Sequence, residues 1–168
     1  MTVCTEMTTN GRSRRCTQVW AFFLLGAVLV SMLAAAMPAA AEGPLNLDAD
    51  GYAIGRYDPV AYFTVGKAIK GDVAHTASYD GANYAFASEE HRQIFLQDPD
   101  KFVPQYGGHC AYGAVYGGKS SIDPEIWEIV DGRLFFMINP GTMTLWQKRK
   151  ADYIKIADQA WKSVVGQN

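Results

Sequence analysis

Two Asp-Gly pairs, Asp80-Gly81 and Asp131-Gly132, set the tightest limit on how this chain can fold. Asp-Gly between two short apolar runs is the signature of a two-residue hairpin with a type I′ turn, in which both central residues take positive φ. The second pair is flanked by Ile126-Trp127-Glu128-Ile129-Val130 and Arg133-Leu134-Phe135-Phe136-Met137-Ile138, and the first by residues 74–79 and 83–86. Strands joined in this way are antiparallel. Residues 60–65, Val-Ala-Tyr-Phe-Thr-Val, are β-branched and aromatic and predict a further strand.

Between the hairpins, Ser88 predicts a helix N-cap with Glu89 and Glu90 at the positive end of the dipole. His91, Ile94 and Phe95 then share one face, and Asp98-Pro99 stops the helix. A longer helical region is expected from about 142 to 165, with Leu145, Trp146, Ile154, Ala157 and Trp161 inward and a break near Lys148-Arg149-Lys150, a cluster that reads as a solvated face. No internal repeat is visible along the chain. The expected class is α+β: a small antiparallel sheet with hairpins, covered by a short helix and the longer C-terminal helical region.

The first 41 residues are organised differently. Arg12, Arg14 and Arg15 precede an apolar run from position 19, and Ala39-Ala40-Ala41 closes it. A basic start, an apolar middle and an A-x-A end predict a secretory signal cut after Ala41, and hence an exported, periplasmic or secreted protein. The apolar run approaches the length of a membrane span, so a retained anchor is the alternative. Residues 42–51 are polar and turn-rich and predict a flexible lead-in to a domain over 52–168. Removing 1–41 also removes Cys4 and Cys16, leaving Cys110 as the sole thiol, so the fold must rest on packing and not on an intrachain disulfide.

Charge and motifs exclude several functions. Fifteen bases against seventeen acids give a net charge of −2, without the basic excess of a nucleic-acid binder. Gly107-Gly108 and Gly117-Gly118 fit neither the dinucleotide nor the P-loop pattern, and no G-x-S-x-G, H-E-x-x-H or C-x-x-C occurs. No catalytic residue is assigned. The remaining chemistry is a set of soft and borderline donors, His75, His91, His109, Cys110, Met137 and Met143, suited to copper or zinc. His109 and Cys110 are adjacent and share a metal only if Gly107 and Gly108 turn the loop tightly. His75 is expected at the surface, Met137 in strand core and Met143 in helix packing.

Tyr57-Asp58-Pro59-Val60-Ala61-Tyr62-Phe63, Tyr84-Ala85-Phe86-Ala87-Ser88-Glu89-Glu90-His91 and Phe95-Leu96-Gln97-Asp98-Pro99-Asp100-Lys101-Phe102 together resemble the YHS domain, a small metal-associated module. With Tyr106-Gly107-Gly108-His109-Cys110-Ala111-Tyr112-Gly113 and the tryptophan-bearing C-terminal helix, the chain is most similar to exported stand-alone members, over roughly 52–165. The resemblance places metal-binding cysteines at positions that here hold Ala61, Ala87 and His91. It therefore implies a site lost or rebuilt around His91, with Cys110 and His109 as the other candidate ligands for copper or zinc. The alternative is a metal-free scaffold that takes a small ligand or protein partner in a pocket of Tyr57, Tyr62, Tyr84, Tyr106, Tyr112 and Tyr116.

Overall fold

The computed structural model of the chain describes residues 44–166; the signal segment, its cleavage point and the anchor alternative lie outside them. The class is α+β, but the strands form two separate two-stranded antiparallel sheets and not one. Strands β1 (Asp72–Tyr79) and β2 (Ala82–Phe86) make the first hairpin, and β3 (Asp123–Val130) and β4 (Arg133–Met137) the second. Both turns are as expected: Asp80 and Gly81 have φ of 46° and 81°, Asp131 and Gly132 of 51° and 75°.

Six helices complete the described fold: α1 (Pro59–Thr64), α2 (Glu89–Gln97), α3 (Pro99–Phe102), α4 (Ala111–Ala114), α5 (Pro140–Lys148) and α6 (Lys150–Val165). Helix α1 replaces the strand expected over 60–65. The β propensity of Val60, Tyr62 and Phe63 is overridden by Asp58, whose side chain caps the helix, and by Pro59 at its first turn. Ser88 caps α2 as expected, and the C-terminal helical region breaks at Arg149, between α5 and α6.

No repeat is visible in the sequence, but the backbone holds one. Moving 51 or 52 positions along the chain reproduces the backbone of the first half in the second. Hairpin β1–β2 becomes β3–β4, with a register irregularity after Asp72 in one and after Asp123 in the other. The nine-residue helix α2 becomes the nine-residue α5, capped by Ser88 and Asn139 respectively. Ile54, Gly55 and Arg56 run at φ of 56°, 56° and 67°, and Tyr106, Gly107 and Gly108 at 56°, 59° and 77°. The Asp58 amide donates to the Ile69 carbonyl and the Cys110 amide to that of Ser120; the Gly66 amide reaches Ala61 O and the Gly118 amide Gly113 O. The buried apolar residues form two clusters, and the first also takes in Leu134 and Phe136 of β4. Phe95 of α2 centres the first with Tyr84, Phe86 and Phe102, and Trp146 of α5 the second with Phe135, Met137 and Ala157. The copies differ at most side chains, so the repeat is carried by turns, caps and burial and is hidden from sequence identity.

Within the stretch 42–51, expected as a flexible lead-in, Asn46 and Asp48 hydrogen-bond to the domain. Asp48 accepts from the amides of Asp50 and Tyr52 and from Arg56 Nε at 2.8 Å, while the Asn46 amide donates to the Gly107 carbonyl. Leu45 and Leu47 pack on the first core.

Candidate functional site

The most developed polar arrangement among the described residues is built on Asp58, a residue with no solvent exposure. A buried carboxylate is tolerated only when its oxygens are satisfied. Oδ1 accepts from the Val60 amide at 2.8 Å and the Ala61 amide at 3.2 Å, the free donors of the first turn of α1. Oδ2 accepts from the Ala87 amide at 2.8 Å and from His91 Nδ1 at 2.6 Å. Four donors therefore converge on one carboxylate from two helices and the end of β2.

The backbone places His91 to meet it. Ser88 Oγ accepts from the His91 amide at 3.2 Å, which fixes His91 at the third position of α2 with its ring toward α1. An ionised carboxylate only accepts, so the Nδ1 that faces it carries a proton, and in a neutral imidazole Nε2 then holds the lone pair. Nε2 lies 3.5 Å from Thr64 Oγ1, whose hydroxyl donates to the Val60 carbonyl at 3.0 Å. The imidazole keeps 17% of its side-chain surface open to solvent. The result is a histidine of fixed tautomer with its acceptor nitrogen toward the rim.

Sequence reasoning does not single out Asp58, because residues 60–65 read as a strand and nothing local then gives its carboxylate a role. Its separation of 33 positions from His91 carries no signal of their pairing.

The other candidate ligands lie elsewhere. Cys110 is buried in the second core and is the residue that precedes α4. His109 is nearly as buried; its Nδ1 is 3.2 Å from the Ser120 carbonyl oxygen and its ring centre 5.6 Å from that of Trp161. Under the repeat, Cys110 takes the place of Asp58 and Thr142 that of His91. The second copy thus holds a thiol and a hydroxyl where the first holds the carboxylate and imidazole. Among the described residues, no group of three or more His, Cys, Asp or Glu side chains is placed to hold one metal ion, so His91, His109 and Cys110 do not form a common chelate. His75 is half-buried, 3.4 Å from Glu89. Met137 is fully buried strand core and Met143 packs on the second core, as expected.

The six tyrosines do not line one pocket. Tyr62 is buried in the first core, edge-on to Trp127 and Phe136. Tyr106 donates to Asp158 at 2.9 Å in the second copy, and Tyr112 and Tyr116 pair with each other. A cleft of about 200 Å³ does exist, but of the six only Tyr84 borders it.

At the positions where the resemblance places thiolates, Ala61 is a buried methyl, Ala87 an exposed one and His91 an imidazole. The residues fit a single oriented nitrogen donor and do not fit a thiolate chelate. No curated protein and no solved structure gives a match to the chain. The family model described as YHS domain matches residues 60–106, from the first turn of α1 to the start of the second copy, so this stretch of the chain is similar to the YHS domain.

Proposed function

We propose that this chain is an exported binding module whose ligand-facing group is His91 Nε2. The observation that carries the reading is the 2.6 Å contact of His91 Nδ1 with the buried Asp58. A carboxylate behind an imidazole is the usual support of a metal-ligating histidine, fixing tautomer and ring orientation together. The YHS domain is associated with metal binding, and His91 stands at a position where its metal-binding members carry a ligand. Zinc or copper suits an imidazole nitrogen. His91 supplies one ligand, and among the described residues no group of three His, Cys, Asp or Glu side chains forms around it. Cys110 and His109 stand apart from it in the second copy. Export rests on the basic, apolar and A-x-A succession of residues 12–41.

The test is elemental analysis of untagged full-length protein purified without chelator, followed by zinc and copper(I) titrations of wild type, His91→Ala, Asp58→Asn and Cys110→Ala. His91→Ala should abolish binding and Asp58→Asn should weaken it about 10- to 100-fold. Equal affinity of wild type and His91→Ala would remove His91 as the ligand. Loss on Cys110→Ala instead would move the site to the second copy. Mass spectrometry of exported protein should find Glu42 at its N-terminus.

A further inference from the structure

The cleft of about 200 Å³ lies away from His91, where the two copies meet. Leu45, Tyr79, Asp80, Tyr84 and Asp100 of the first copy border it, and Trp161 of α6 closes it from the second. Its walls are apolar and aromatic, with two carboxylates at the rim.

Those carboxylates have no cationic partner among the described residues. Asp100 accepts from the Tyr79 hydroxyl at 2.8 Å through Oδ1, which leaves Oδ2 without a protein donor in that pair. Its sequence neighbour Lys101 directs its ammonium over the Phe102 ring, 5.3 Å from the centroid. Asp80 sits in the hairpin turn at a φ of 46°, held there by the turn and not by an ion pair. The contact with Asp100 raises the Tyr79 hydroxyl above its ordinary pKa, so this phenol remains a donor to the carboxylate.

The second copy keeps one of these acids, Asp131 in the place of Asp80, and lacks the other. At the positions matching Tyr79 and Asp100 it holds Val130 and Ala151. The Tyr79–Asp100 pair is therefore a property of this cleft and not of the repeated backbone.

We infer that the cleft binds a small organic cation with an apolar or aromatic body: the body between Leu45, Tyr84 and Trp161, and the ammonium at Asp100 and Asp80. Charge complementarity selects the sign, because an anion would approach two carboxylates. Aromatic side chains offer an ammonium the negative faces of their rings. A pocket of this size admits one small molecule with few polar contacts.

Isothermal titration of the full-length protein with phenethylamine, 2-phenylethanol and 3-phenylpropionate tests this, because the three share a ring and differ in charge. The amine should bind at least about tenfold more tightly than the alcohol, with the acid weakest. Asp100→Asn should erase the preference for the amine, and Trp161→Leu should weaken the amine and the alcohol alike. Should Asp100→Asn fail to fold by circular dichroism, Tyr79→Phe should still lower amine affinity by leaving Asp100 unsupported. His91→Ala should leave amine binding unchanged, which separates this site from the metal-binding reading. Equal affinity for all three probes, or no heat from the amine below about 10 mM, would overturn the inference.

Discussion

His91 Nδ1 lies 2.6 Å from Asp58 Oδ2, and this contact joins two helices that begin 30 residues apart. Asp58 also accepts three backbone amides, so it caps α1, ties β2 to α1 and orients the imidazole at once.

Asp58→Ala should therefore be among the most destabilising single changes in the domain. It strands three amides and an imidazole N–H around a side chain that is itself fully buried, and a loss of about 3 kcal/mol is expected. Urea unfolding gives the magnitude. NMR should show a hydrogen-bonded Nδ1 proton of His91 in wild type and not in the variant. An unchanged urea midpoint would mean that the carboxylate contributes no net stability.

Gly107 and Gly132 both have positive φ, yet they should respond differently to substitution. A Cβ on Gly107 would stand 2.0 Å from the Pro44 carbonyl oxygen, whereas one on Gly132 meets nothing within 4 Å. Gly132→Val carries the left-handed backbone penalty alone, about 1–2 kcal/mol. Gly107→Ala adds a clash with main chain and should also release the segment at Leu45. Thermal melts rank the two, and protection of the Asn46 amide against hydrogen exchange reports the release.

Arg133 sets a pH dependence. Its guanidinium donates to both carboxylate oxygens of Asp158, at 2.7 and 3.1 Å, and this holds Asp158 below its ordinary value of 3.8, with a smaller contribution from the Tyr106 hydroxyl. A carboxylate whose folded pKa is depressed adds stability that is complete above the ordinary value and is lost as pH falls through the folded one. Asp158→Asn should lower the urea midpoint at pH 7 and flatten its decline below about pH 4. Parallel acid limbs for the two proteins would show that Asp158 is not linked to folding.

Cys110 should behave as packing. It is 1% exposed beside Ala111 and Phe136, so a thiol reagent should label it only at the rate of unfolding. Cys110→Ala should cost about 1 kcal/mol through the small void it leaves. Melting curves with and without reductant should coincide. Fast labelling of the native protein would place the sulfur within reach of solvent.

The elements that sequence specifies most firmly are those with local causes. Asp-Gly demands positive φ at two consecutive positions, and both hairpins follow. Ser88 can satisfy the amide of His91 without help from distant residues, so α2 starts where its cap stands. The break at Arg149 lies inside the basic cluster where it was expected. Burial of Phe95 and Trp146 follows from their spacing in amphipathic helices.

What only the tertiary structure decided is the pairing of distant residues. Asp58 and Pro59 start the helix over 60–65 locally, but the meeting of the same carboxylate with His91 depends on chain closure over 33 positions. The repeat escaped detection because its two halves share backbone torsions, caps and buried volume while differing in side-chain identity. Packing constrains volume and apolarity more tightly than residue type, so two cores centred on Phe95 and Trp146 can use the same frame. The site divided for the same reason. Cys110 and His91 each have the chemistry of a ligand, but they belong to different copies, and the spacing of donors along a chain does not determine which copy's core encloses them.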